Sequence, residues 1–89
     1  MIQSFRDGET EQLFRRQPVK KLPPNVQRPA LRKLLLLDAA ESLNDLRVPP
    51  GNRLEKLQGE YSIRVNSQWR VCFRWQGNAA HDVEITDYH

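Results

Sequence analysis

Cysteine occurs once in this 89-residue chain, as Cys72. A lone thiol excludes an intramolecular disulfide and any zinc site built on cysteines, so nothing demands an oxidising compartment. Long apolar runs are also missing. The run of leucines from Leu34 to Leu37 falls far short of the roughly 20 residues a membrane helix needs. The opening "MIQSFRDGET" has no apolar signal core. The expected location is therefore the cytoplasm, with no membrane partner. Histidine is scarce, present only as His81 and His89, and no spacing of ligand residues makes a metal motif. No glycine-rich phosphate loop occurs either. Neither a metal nor another cofactor is expected.

What remains is an ordinary soluble composition. Hydrophobic residues make up 38% and charged residues 28%, enough for a modest core in a single domain spanning residues 1–89. A net charge of +3 is mild, but its distribution is uneven. Between Arg47 and Trp75 the cations are Arg47, Arg53, Lys56, Arg64, Arg70 and Arg74, against only Glu55 and Glu60. A locally basic surface attracts polyanions and steers their approach.

Along the chain, "IQSF" reads as a short strand. Asp7 or Thr10 can cap a helix over about Glu9 to Arg16, acidic early and basic late, and Pro18 ends it. Asn25 is a candidate cap for a second helix reaching about Glu41, with Pro29 near its start. Leu31, Leu34, Leu35, Ala39 and Leu43 form its apolar stripe. "RVPPGNR" marks a boundary, after which "RLEKL", "YSIRV", "WRVCFRW" and "DVEIT" read as a four-stranded meander. The order predicts an α+β domain, with helices on one face of a mostly antiparallel sheet.

The segment "SIRVNSQWRVCFRW" fixes a register. Trp69, Val71, Phe73 and Trp75 share one face, and Arg70, Cys72 and Arg74 the other. A three-residue loop at Asn66-Ser67-Gln68 pairs Val65 with Trp69 and Ile63 with Val71, apolar against apolar. Arg64 then stands opposite Arg70, a like-charge pairing that costs up to roughly 1 kcal/mol. Such a pair either splays into solvent and toward acidic partners, or awaits an anion, for which phosphate suits the guanidinium fork best. Continuing the register pairs Phe73 with Val83 and Val71 with Ile85, and brings Arg74 to Asp82, Cys72 to Glu84 and Arg70 to Thr86. One step on, Tyr88 reaches the face of Arg70.

Such a face has the parts for cleaving RNA without a metal. Arginines clamp the phosphate, on whose oxygens charge grows in the transition state. His89 is a proton-transfer group near this face, and Asp87 and its own α-carboxylate favour the imidazolium. Tyr88 can hydrogen-bond phosphate, stack on a base or share proton transfer. Plainer roles compete: Tyr88 and His89 as frayed terminal residues, Trp69 and Trp75 as core, and Cys72 as a small filler. His81 reads as a solvated turn residue, and Lys20-Lys21 and Arg32-Lys33 as solvated charge.

"MIQSFRD", "LDAAESLNDLRVPPGNRLEKLQG", "SIRVNSQWRVCFRW" and the ending "DYH" resemble the HigB family of toxins, which includes GraT-like members and belongs to the RelE superfamily. The resemblance spans essentially the whole chain. It implies a RelE-like fold, an N-terminal strand and two helices on a four- to five-stranded sheet. It also implies the toxin of a type II toxin–antitoxin pair that enters the ribosomal A site and cleaves mRNA there, leaving a 2′,3′-cyclic phosphate. The implied partners are the 70S ribosome, mRNA and a HigA-like helix-turn-helix antitoxin, with operator DNA reached only through the antitoxin. Arg64, Arg70, Tyr88 and His89 match the catalytic surface, and Asp87 belongs to the same ending. Arg53 and Lys56 fall in a segment where relatives carry further basic residues, and Arg74 joins them as a substrate contact. Glu55 and Gln58 stand where some relatives carry histidine or lysine, so the resemblance assigns no general base. The turn "QGEYS" is shorter than the usual family loop. Two other readings share the fold: a ParE-like gyrase-binding toxin, and a catalytically weak relative that only binds its antitoxin.

Overall fold

Two helices pack on one face of an antiparallel sheet whose four strands lie in chain order, an α+β arrangement. This computed structural model describes residues 1–87. Helix α1 spans Gly8–Phe14. Asp7 caps it, with Oδ1 accepting from the Thr10 amide at 3.0 Å. It stops short of the expected Arg16 because Arg16 turns left-handed, at φ 61°. The Gln17 amide then donates to the Gln12 carbonyl and the Arg16 amide to that of Leu13, the bonding of a Schellman close.

Helix α2 spans Pro24–Ala39 and follows Pro23, not an Asn25 cap. The fixed φ of Pro24 suits the first helical position, where a missing N–H costs nothing. Pro29 consequently lies inside the helix. Val26, Ala30, Leu34 and Leu37 form the buried stripe. Gln27 Nε2 donates to the Val19 and Leu22 carbonyls, which holds the proline-rich connector against the helix. No helix among the described residues is long and apolar enough to cross a membrane.

The expected boundary "RVPPGNR" is a built structure. Short 3₁₀ turns occupy Leu43–Arg47 and Pro50–Asn52. Asn52, the last residue of the second turn, is wholly buried. Its Nδ2 donates to the carbonyls of Leu46 at 3.1 Å and Val48 at 3.3 Å, and its Oδ1 accepts from Lys33 Nζ.

The strands are β1, Glu55–Leu57, β2, Glu60–Arg64, β3, Trp69–Gln76, and β4, Ala79–Asp87. Gln58 and Gly59 join the first two with φ of 50° and 84°, the paired positive values of a two-residue hairpin turn. Between β2 and β3 the register is the expected one, with Ile63 opposite Val71 and Arg64 opposite Arg70. Asn66 fixes that turn, its Oδ1 accepting from the amides of Gln68 and Trp69, each at 2.8 Å.

Between β3 and β4 the expected pairs of Arg70 with Thr86, Val71 with Ile85 and Cys72 with Glu84 are present. Beyond Cys72 the register shifts, and Arg74 faces His81, not Asp82. One extra residue on β4 makes this bulge, with Asp82 at φ 53°. Ser4 stabilises it, its Oγ accepting from the Asp82 amide at 2.9 Å and its carbonyl from the Val83 amide at 3.1 Å. β4 thus begins at Ala79, and His81 is a half-buried strand residue, not a solvated turn. The expected first strand is present as two isolated parallel bridges, Ile2 with Ala80 and Phe5 with Val83.

The core lies between the helices and the apolar sheet face, where Leu34, Leu37, Leu46, Ile63, Val71, Phe73, Val83 and Ile85 are fully buried. Trp69 is also buried, whereas Trp75 is half-buried at the margin, edge-on to Phe73. Lys21 and Lys33 are not merely solvated: Lys21 Nζ donates to Asp7 Oδ2 at 3.1 Å, and Lys33 serves Asn52.

Candidate functional site

The helices leave the opposite face of the sheet uncovered. Register assigns Ser62 and Arg64 of β2, Arg70, Cys72 and Arg74 of β3, and Glu84 and Thr86 of β4 to that face. Glu55, opposite Ser62, joins them from β1.

One end of this face is closed by ion pairs. Arg6 reaches across from the N-terminal segment to Glu60 and Glu84, and Arg74 Nη1 lies 3.7 Å from Asp82 Oδ2. Cys72 lies on the same stretch. Burial pushes its thiol pKa up, and Glu60 and Glu84 push it further, so the thiol is neutral near pH 7.

The other end is open. Among the described residues, a cleft of about 410 Å³ is lined by Arg53, Glu55, Arg64, Asn66, Ser67 and Arg70, three guanidiniums against one carboxylate. Arg64 donates from Nε to the Asn66 carbonyl at 3.0 Å, which leaves its two terminal nitrogens without a partner among the described residues. Arg70 turns the other way. Its Nε donates to Ser62 Oγ at 2.8 Å, and its Nη2 to the carbonyls of Arg53 at 2.6 Å and Ser62 at 3.2 Å. Glu55 Oε2 lies 4.0 Å from the same Nη2.

Arg70 is accordingly buried, at 7% exposure, where an outward-facing polar strand predicts a solvated side chain. Among the described residues, the chain entering β1 contributes to the covering. Arg53 takes left-handed angles, φ 45° and ψ 60°, and brings its carbonyl down onto the guanidinium. The like-charge pair is tolerated because the two groups diverge, Arg64 toward the Asn66 carbonyl and Arg70 toward Ser62, the Arg53 carbonyl and the Glu55 carboxylate. An apolar hollow of similar size between α1 and α2, lined by Leu13 and Leu31 with Arg16 and Arg28 at its edge, has no such converging array.

The residues singled out from sequence are thus only partly assembled. Arg53, Arg64 and Arg70 line the cleft. Lys56 pairs with Tyr61, on the opposite face, and its Nζ sits 5.6 Å from that ring's centre. Arg74 belongs to the closed end, beside Asp82. Asp87 faces Trp69, and Gln68 Nε2 donates to its Oδ2 at 3.0 Å. Tyr88 and His89 lie outside the described residues. Sequence reasoning left out Glu55, Ser62, Asn66 and Ser67. The signal for Glu55 and Ser62 was the two-residue turn, which gives both the parity of Arg64.

A small α+β domain with helices on one face of the sheet and an arginine cleft on the other has the architecture of the RelE-like toxins. A family profile described as RelE-like toxin of type II toxin-antitoxin system HigB matches residues 3–89. The chain is 41% identical over 85 residues to Toxin HigB-1 of Vibrio cholerae, covering 90% of each protein. It is 40% identical over 69 residues to an uncharacterized protein of Haemophilus influenzae, covering 73% of this chain and 68% of that one. The chain belongs to the HigB-like toxin family of type II toxin–antitoxin systems, and membership implies an antitoxin partner.

Proposed function

We propose that this toxin is a ribosome-dependent endoribonuclease that cleaves mRNA in the A site by attack of a 2′-hydroxyl on the adjacent phosphate. The observation that carries this reading is Arg64, whose terminal nitrogens point into an open cleft with no protein partner among the described residues. A guanidinium fork so presented suits the non-bridging oxygens of a scissile phosphate and strengthens its hold as charge grows there. Arg53 at the rim takes a neighbouring phosphate. Arg70 contributes charge from beneath and holds the Arg53 carbonyl in position.

Tyr88 and His89 complete the site: Tyr88 stacks on a base or hydrogen-bonds phosphate, and the His89 imidazolium protonates the leaving 5′-oxygen. Their motif and the resemblance support these roles. Lys56 and Arg74, outside the cleft, suit flanking ribosomal RNA phosphates, and Asp87 steadies the end of β4 through Gln68. Free RNA binds such a small basic patch weakly, and the ribosome supplies the orientation. The toxin works in the cytoplasm and is neutralised by a HigA-like antitoxin, through which alone it reaches operator DNA.

Expression of the chain without its antitoxin tests this reading. The expected result is growth arrest, with new mRNA ends inside codons bearing 2′,3′-cyclic phosphate. Arrest with DNA breakage and intact mRNA supports a gyrase-directed toxin instead, and the absence of arrest overturns toxicity itself.

A further inference from the structure

Arg53 is a strained position. At φ 45° and ψ 60° it holds left-handed angles that arginine rarely adopts. Such angles persist only where the surroundings over-determine them. At Arg53 they serve the cleft. They turn its carbonyl onto Arg70 Nη2 at 2.6 Å, while Arg53 itself lines the opening. An extended backbone at this residue would carry the carbonyl away and take a partner from Arg70.

The turn before Arg53 is closed by its own backbone. The Asn52 amide donates to the Pro49 carbonyl at 3.0 Å, and the Arg53 amide to that of Pro50 at 3.1 Å. Both bonds are internal and anchor the turn to no helix. The Asn52 side chain does, from a wholly buried position. Its Nδ2 donates to the Leu46 and Val48 carbonyls, and its Oδ1 accepts from Lys33 Nζ on α2. Both ends of the amide are engaged. Turned end for end, it would set Nδ2 against the ammonium and Oδ1 against two carbonyls, so one orientation is fixed. Lys33 is half-buried, and an ammonium short of water gains from such an acceptor.

We infer that Lys33 is a positioning residue for the arginine cleft: acting through Asn52, it holds the Arg53 turn and so sets where Arg53 and Arg70 stand relative to Arg64. Lys33 is not among the residues lining the cleft. Arg64 is held independently, by the Asn66 carbonyl at the far turn. A slack Arg53 turn therefore changes the spacing of the guanidiniums and does not shift them together. The inference deepens the ribonuclease reading and rests on it where cleavage is concerned.

Lys33→Met keeps the length of the side chain and removes the ammonium. Lys33→Ala, a stronger helix former, is measured alongside it, and thermal unfolding sets a temperature at which the variants are folded. Two readouts separate positioning from bulk stability. The first is solvent exchange of the Arg70 guanidinium protons in ¹H–¹⁵N spectra of the full chain, slow in wild type and expected to lose its protection in both variants. The second is single-turnover cleavage of mRNA on programmed ribosomes, expected to fall on the order of 10- to 100-fold, as for misplaced groups, with ribosome affinity unchanged. Lys33→Arg keeps a donor for Asn52 and is expected to restore both. Arg53→Gly takes left-handed angles without strain, so adding Lys33→Met to it is expected to change the Arg70 signals little. Wild-type Arg70 signals in the folded Lys33 variants overturn the assignment, whatever the cleavage rate. So does an undiminished effect of Lys33→Met on the Arg53→Gly background. Wild-type protein that cuts no mRNA overturns the ribonuclease reading, and the Arg70 signals then decide the role of Lys33 alone.

Discussion

Arg64 and Arg70 stand directly opposite each other on β2 and β3, yet their guanidiniums turn apart: Arg64 toward the Asn66 carbonyl, Arg70 toward Ser62 and Arg53. One arginine is thereby made structural and the other left open. The division separates two effects that a simple clamp would merge.

Arg70→Ala destabilises the fold. It removes at least three hydrogen bonds from a charged donor in a site with 7% exposure, leaving the Arg53 carbonyl and Ser62 without that partner. A loss of about 2–4 kcal/mol is expected in urea unfolding. Arg70→Lys recovers little, because a point charge cannot serve Ser62 and Arg53 together. A change under about 0.5 kcal/mol, the scale of ordinary surface substitutions, contradicts the burial assigned to Arg70.

Asp7 gives the fold an acid-side dependence. Burial pushes its carboxyl pKa up, but hydrogen bonds from Thr10 and the ion pair with Lys21 outweigh that, and the net direction is down. A folded value below the unfolded one contributes stability that is complete above the ordinary range near pH ~4 and lost as pH falls through the folded value. Asp7→Ala costs about 1 kcal/mol at neutral pH through the lost helix cap. The gap between wild type and variant should close on acidification. A gap that persists unchanged into acid contradicts the role given to the carboxylate.

Asn52→Ala tests the connector. The side chain is wholly buried and holds two carbonyls and Lys33. Burial already pushes the Lys33 pKa down, with Arg32 adding to it, so losing the acceptor leaves a poorly solvated ammonium. A loss of about 1–3 kcal/mol is expected, with faster amide exchange through residues 46–53. Unchanged exchange there contradicts the anchoring role.

How much of this was legible in the sequence depended on the distance over which each feature is decided. The β2–β3 register follows from alternation and a three-residue turn, and both are local. The start of α2 is not legible locally, because Asn25 is a good cap while Pro24, already pre-set for the first turn, begins the helix before it. The bulge at Asp82 depends on Ser4, far away in sequence, so alternation continued through it wrongly. Arg53 and Lys56 are basic neighbours in sequence, but a single step along a strand reverses the face, and Lys56 falls opposite Tyr61. The burial of Arg70 needed the left-handed turn at Arg53, which no composition signals. In the sequence Glu55 stands out as a counter-charge and as a position where some relatives carry histidine or lysine, and its place in the cleft appears once β1 is paired.

The ending "DYH" carries the proton-transfer prediction. Deleting Tyr88 and His89 should abolish toxicity in growing cells while the protein still unfolds cooperatively near the wild-type temperature. Full toxicity of the shortened chain removes His89 as the acid and leaves the cleft alone to account for activity.

The account's central claim is that the open guanidinium of Arg64 clamps the scissile phosphate on the ribosome. The most direct measurement is single-turnover cleavage of mRNA in programmed 70S ribosomes by wild type and Arg64→Ala, with naked mRNA at matched salt as the control. Arg64 is half-buried and makes one hydrogen bond to the turn, so the variant folds. The predicted result is A-site cleavage by wild type, little on naked RNA, and a rate lower by about 100-fold or more for the variant, as for loss of a transition-state donor. Equal cleavage by folded Arg64→Ala, or rapid cutting of naked mRNA by wild type, would contradict it.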